Sequence, residues 1–211
     1  VQWSTPLNIG IYIYDDAEVL DFSGPYEVFA TASRLSNPTG LFNVFLLAEE
    51  KRTVSARAGY LVEPHYGIDD HPELDVLIVV GGVHTAELDK PDVIDWVART
   101  AESTDLVASV CTGAFILAQA GVLTGLDATT HWEDQQALSS MFPDVRVIRN
   151  HRWVDQGKFV TSGGISAGID MSLHLVSRLA SPALAKMTAR QMEYEWHSNE
   201  EPSPAQNQHT C

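Results

Sequence analysis

Cysteine is almost missing from this chain of 211 residues: Cys111 lies in its body and Cys211 is the last residue. Two thiols so placed make no disulfide framework, so the fold must rest on an apolar core, and a reducing cytoplasm is the expected compartment. Basic residues are scarce too, with 13 Lys+Arg against 28 Asp+Glu and a formal charge of -15. A field of that sign repels phosphate backbones and anionic lipid, so neither nucleic acid nor a membrane surface is an expected partner. No apolar run approaches the ~20 residues that span a bilayer. The opening VQWSTPLNIGIYIY lacks the basic flank and long apolar core of a secretion signal. The glycine-rich TSGGISAG (161–168) misses the G-x-G-x-x-G spacing, and no P-loop is present, so phosphate or dinucleotide binding has no motif. His65, His71 and Asp69-Asp70 cluster loosely, without zinc-ligand spacing. Neither a metal nor a cofactor is expected.

What is present is a pattern of short apolar runs. Hydrophobic residues make up 45 % and charged residues 19 %, the profile of a chain that collapses onto a core. LNIGIYIY (7–14), FNVFLLA (42–48), DVLIVVGG (75–82) and LVASV (106–110) are continuously apolar, as strands buried on both faces must be. Segments with helical spacing alternate with them. PYEVFATASRL places Pro25 in a first turn and Val28, Phe29, Ala32 and Leu35 on one face. PDVIDWVARTAES turns Val93, Ile94, Val97 and Ala101 inward. GAFILAQAGVL, residues 133–142, GIDMSLHLVSRLA and PALAKMTARQMEYEW (182–196) are the remaining expected helices. Residues 51–72 read as a short hairpin and a loop, and RWVDQGKFV as two strands about Gln156-Gly157. The expectation is an α/β fold: a single-domain flavodoxin-like sandwich over 1–197, mostly parallel sheet with helices on both faces. Residues 198–211, polar and proline-containing, are expected to be a disordered tail.

In open parallel sheets, ligands bind outside the carboxyl ends of the strands. Cys111 falls at such an end, two residues before a helix expected to start at Gly113. A sharp strand-to-helix turn of this kind is a nucleophile elbow, and the helix amino terminus is expected to favour the thiolate. A buried structural cysteine is the competing reading. Gly81 and Gly82 close the neighbouring strand, where their N–H groups could face a developing anion or merely end the strand. Asp21, expected just before the first helix, is either a cap or a proton partner for the thiol; as a partner it would be a protonated acid beside a thiolate. His131, in TTHW, is either a packed residue or a base.

These residues carry a resemblance. SVCTGAFILAQAGVLTGLDATTHW, with VLDFSGPYEVF, LIVVGG and TSGGISAGIDMSLHLV, resembles the ThiJ/PfpI family of the class I glutamine amidotransferase-like superfamily, from about residue 7 to 195. Within it the chain is most similar to the isonitrile hydratase branch and to the amidase-like domains of AraC-type regulators. The resemblance implies that Cys111 is the nucleophile and that Asp21 is the acid that hydrogen-bonds near it. Thr112 stands where protease-like members carry histidine, which argues against a peptidase, and Asp replaces the Glu of glyoxalase-like members. Gly81, Gly82, Gly164 and Ile165 match backbone lining the family pocket, with His131 beside it. The implied activity is hydration of a small isonitrile to an N-substituted formamide through a cysteine thioimidate, with Thr112 orienting the pair. The implied assembly is a homodimer. A ligand or redox sensor without catalysis, or an amidase- or glyoxalase-type hydrolase, is the alternative. The sequence ends near the last helix, so no helix-turn-helix domain is expected in it.

Overall fold

A computed structural model describes residues 5–197; the expectation of a disordered tail over 198–211 lies outside the described residues. Strand β1 (Leu7–Tyr12) leads to helix α1 (Val19–Leu35), β2 (Phe42–Ala48) and a hairpin of β3 (Val54–Ala56) and β4 (Tyr60–Val62). Then come β5 (Tyr66–Gly67), β6 (Val76–Val79), the short α2 (Thr85–Leu88), α3 (Pro91–Ser103) and β7 (Leu106–Ser109). The chain continues through α4 (Gly113–Gln119), β8 (Asp127–Ala128), α5 (Gln135–Met141) and β9 (Arg146–Val147). It closes with β10 (Trp153–Gln156), β11 (Phe159–Ser162), α6 (Ala167–Leu179) and α7 (Pro182–Gln191).

Seven strands form one sheet in the order β10-β11-β7-β6-β1-β2-β5. Every pairing in it is parallel except the β10–β11 hairpin. The expected doubly covered sheet is therefore what forms. Its centre is β1, β6 and β7, where Ile9, Ile11, Leu77, Ile78 and Val107 are wholly buried. Each such aliphatic side chain contributes ~1.5–3 kcal/mol on burial. With strands 6, 1 and 7 adjacent and parallel, their carboxyl ends meet at one edge. That edge places residues 12–14, 80–82 and 110–112 side by side, and the site is built there.

The limits of α1 and α7 differ most from the sequence reading. Helix α1 begins at Val19, so Pro25 lies inside it and Asp21 lies in its first turn. Proline leaves the Asp21 carbonyl without the usual backbone partner. The helix persists because Phe22, Val28, Phe29 and Ala32 bury its inner face. Helix α7 stops at Gln191 instead of reaching Trp196. Glu193 turns back with φ 51°, and the Tyr194 N–H returns to the Ala189 carbonyl at 2.9 Å.

Candidate active site

The elbow forms because β7 and α4 are joined by almost no chain. The Val110 N–H still belongs to the sheet, donating to the Val79 carbonyl at 3.0 Å. One residue later Cys111 has φ 55°, the left-handed region, which costs an L residue about 1–2 kcal/mol. Gly113 then begins α4 so close to β6 that a Cβ there would lie 2.2 Å from the Val79 oxygen. Only glycine fits. The strained turn is held by the Cys111 N–H donating to Gly163 (3.1 Å) and by the Thr130 hydroxyl donating to the Cys111 carbonyl (2.8 Å).

Asp21 meets this elbow from α1, its side chain wholly buried. Its Oδ2 accepts the Gly81 N–H at 3.0 Å, while Oδ1 has no hydrogen-bond partner among the described residues. The Cys111 thiol and the Ile165 N–H face the carboxyl, short of a complete hydrogen bond to Oδ1. A Cβ on Gly81 would lie 2.7 Å from the Cys111 Cβ and 2.8 Å from Asp21 Oδ2, so this glycine is what lets acid and thiol meet. Gly82 (φ 144°) packs against the 16–18 backbone with no room for a Cβ.

The electrostatics correct one expectation. Burial pushes the Cys111 thiol up to about 12, helped by the negative charges of Asp21 and Asp134, and the Thr112 N–H lowers it only in part. Helix α4 has seven residues and its terminal field does not outweigh that burial. The resting group is a thiol and not a preformed thiolate. Burial likewise pushes the Asp21 carboxyl up to about 7, with Glu18 adding to the rise and the Gly81 and Ile165 N–H groups opposing it. The pair resists holding two negative charges, so at neutral pH it carries one or two protons between its members.

The other residues singled out in the sequence lie near this pair. The Thr112 hydroxyl bonds the N–H and carbonyl of Gly82 (3.0 and 3.1 Å), so it braces the Gly81–Gly82 corner. The N–H groups of Gly81 and Gly82 are engaged by Asp21 and Thr112, so the expectation that they face a developing anion on substrate is not met. Ile165 is strained, with φ 50°, and partly exposed beside the site. The His131 ring packs on Gly164, where a Cβ would lie 2.1 Å from its Cδ2, and its Nδ1 lies 3.5 Å from Asp134. Nothing here brings His131 onto the thiol. Tyr14, Thr130 and Gly163 were not singled out in the sequence, because their partners lie 66, 19 and 52 residues away. Among the described residues no group of three or more His, Cys, Asp or Glu could hold a metal, and no helix is long and apolar enough to cross a membrane.

A thiol beside a carboxyl with one bare oxygen can add to an electrophilic carbon and shuttle a proton in the same step. The chain has relatives among known proteins. The model of the DJ-1/PfpI family matches residues 8–178. An isonitrile hydratase from Pseudomonas putida is 33% identical over 190 residues, covering 89% of this chain and 78% of that protein. The HTH-type transcriptional regulator GbdR from Pseudomonas aeruginosa is 31% identical over 200 residues, 95% of this chain, and the chain spans only 54% of its length. Of solved structures, a ThiJ/PfpI family protein from Pseudomonas syringae superposes with a TM-score of 0.82 at 26% identity, covering 99% of this chain and 81% of that one. Drosophila melanogaster DJ-1beta shares the fold, with a TM-score of 0.78 at 18% identity over 91% of this chain and 100% of its own. By its family match and its relatives, the chain belongs to the DJ-1/PfpI, or ThiJ/PfpI, family.

Proposed function

We propose that the protein hydrates an isonitrile to an N-substituted formamide, with Cys111 as nucleophile and Asp21 as proton carrier. The observation that carries this reading is the bare Oδ1 of a buried carboxyl facing the thiol. An acid that only capped a helix would have no reason to be wholly buried with an oxygen left unpaired. The 33% identity to an isonitrile hydratase supports the choice of substrate class.

In the first step the Cys111 sulfur bonds to the terminal carbon of R–NC, and its proton passes to Asp21. Asp21 returns that proton to the same carbon, giving R–N=CH–S–Cys111 and a free carboxylate. The carboxylate then takes one proton from water as the water oxygen bonds to that carbon, and the remaining proton on that oxygen passes to the nitrogen, leaving R–NH–CH(O⁻)–S–Cys111. Cleavage of the C–S bond, with the Asp21 proton going to sulfur, releases R–NH–CHO and restores the pair. One water is consumed and no redox partner is needed. Thiol with carboxylate and thiolate with acid are tautomers of one singly protonated pair, so a thiol with a high pKa does not block the step.

The test is a panel of small isonitriles with single-turnover mass spectrometry. The expected result is formamide production and a transient adduct on Cys111, both abolished in Cys111→Ala while the fold survives. Turnover retained in Cys111→Ala, or no formamide from any isonitrile with folded wild type, overturns it. A second reading, ligand sensing without turnover, is favoured by the 31% identity to a regulator along 95% of this chain. Saturable binding of a small molecule with no product formed would select it.

A further inference from the structure

The loop that carries Ile165 is tied down from behind by groups that the proposed chemistry does not use. Asp170, in the first turn of α6, is wholly buried. It accepts hydrogen bonds from the Arg152 guanidinium and, at 2.9 Å, from the backbone N–H of His197. Arg152 also reaches the Ser166 hydroxyl at 3.4 Å, and its carbonyl accepts the Gly163 N–H at 2.8 Å. Gly163 in turn accepts the Cys111 N–H at 3.1 Å. The Tyr194 hydroxyl lies 3.5 Å from the Ser166 carbonyl and faces Asp170. An unbroken set of contacts thus runs from residue 197 to the backbone of the nucleophile. Inside it sits Ile165, a β-branched residue with φ 50° that an unrestrained loop would relax.

A buried ion pair is a costly way to fasten a helix, since well-packed apolar residues often do as well. What it adds is a fixed position. We infer that Arg152 and Asp170 are positioning residues for the reactive pair: with Tyr194 and His197 they latch the 163–166 loop so that the Ile165 N–H faces the Asp21 carboxyl. This deepens the hydratase reading and rests on it for the consequence to turnover, but the latch is tested on the thiol alone.

The groups facing Asp21 are the Gly81 and Ile165 N–H groups, the Cys111 thiol, the charge of Glu18 and the buried, neutral Tyr14 hydroxyl. Releasing the loop withdraws the Ile165 N–H, so the Asp21 carboxyl should ionise at higher pH. Removing the Asp170 charge would by its field alone do the reverse, so the sign separates a latch from simple electrostatics. The experiment is the rate of Cys111 alkylation by iodoacetamide in the full chain from pH 5 to 9, followed on the Cys111 peptide by mass spectrometry. Wild type should show an inflection near pH 7, where Asp21 ionises. In Tyr194→Phe and Asp170→Asn it should move up by about half a unit, the share of one weak hydrogen bond. An inflection that stays put or moves down overturns the latch, even if the variants melt lower, because a merely structural role would leave it in place. Where Asp170→Asn does not fold, Tyr194→Phe decides, since it removes one hydroxyl and no charge. Cys111 alkylates whether or not isonitriles are substrates, so failure of the hydratase reading leaves this result interpretable.

Discussion

Asp21 and Asp170 invite comparison: both are wholly buried, and both lie in the first turn of a helix. Burial pushes both carboxyls upward. Around Asp170 a guanidinium and a backbone N–H pull it back, and both its oxygens are bonded. Around Asp21 there is one firm donor, with an oxygen left bare beside a thiol. A buried acid with matched partners holds a structure in place. A buried acid short of partners is poised to exchange a proton, and that contrast separates scaffold from chemistry on otherwise similar turns.

The largest expected effect sharpens this contrast. Asp21→Asn should lower single-turnover hydration by about 100- to 10,000-fold, the usual worth of general acid–base help. Asp170→Asn, where it folds, should leave the rate at high pH within about tenfold. Similar losses in the two variants would break the distinction.

Stability should separate the two as well. For Asp21 the folded pKa of about 7 lies above the ordinary 3.8, so the folded state holds its proton more tightly. Stability is then highest below pH 3.8, falls between 3.8 and 7, and stays low above, by on the order of 4 kcal/mol for about three units. Asn carries no charge to bury and can still accept the Gly81 N–H. Asp21→Asn should therefore melt higher than wild type at pH 8 and converge with it toward pH 4. Asp170→Asn also removes a buried charge, but it strips the Arg152 guanidinium of its carboxylate, so it should not share that gain at pH 8. Thermal melts at the two pH values check both variants.

How far the sequence could be read follows from which contacts are local. Continuous apolar runs sufficed for the central strands, since β6 and β7 are buried on both faces and show it residue by residue. The start of α1 was misplaced because Pro25 is a first-turn signal that packing against α6 and α7 overrides here. The meeting of Cys111 with Asp21 spans 90 residues, and the resemblance carried it more than any local pattern. The direction of the thiol pKa was misread because a helix terminus is visible in sequence and depth of burial is not. Arg152 and Asp170 gave no signal at all, since an arginine in a hairpin and an acid in a helix look like surface residues until the fold joins them.

A smaller effect is the pH dependence of hydration itself. The reactive form is the singly protonated pair, so kcat/KM should rise about tenfold per pH unit well below 7 and level off above it, as Asp21 ionises. The upper limit, set by the thiol near 12, lies beyond the working range. A rate that instead falls through pH 7 would mean that the doubly protonated pair is active, and Asp21 would lose its role as base.

The smallest expected effect tests whether the sparse partnering of Asp21 is itself maintained from behind. Tyr14 is buried, and its hydroxyl donates to the Val80 carbonyl at 3.2 Å, one residue before the Gly81 N–H that holds Asp21. Burial and the charges of Glu87, Asp21 and Cys111 push Tyr14 well above its ordinary range, so it stays a neutral donor at any working pH. Tyr14→Phe removes that donor without changing charge or opening a large cavity. One lost neutral hydrogen bond is worth about 1 kcal/mol, or roughly fivefold in rate if all of it reaches the transition state. The loss should fall on kcat with KM unchanged, because Tyr14 reaches the pair only through the Val80–Gly81 backbone. It should also vanish in an Asp21→Asn background, where there is no proton carrier left to misplace. A double-mutant cycle reads this directly. Additive losses would show that Tyr14 only stabilises the β1 edge, and that the Gly81–Asp21 contact is set by α1 and the glycine corner alone.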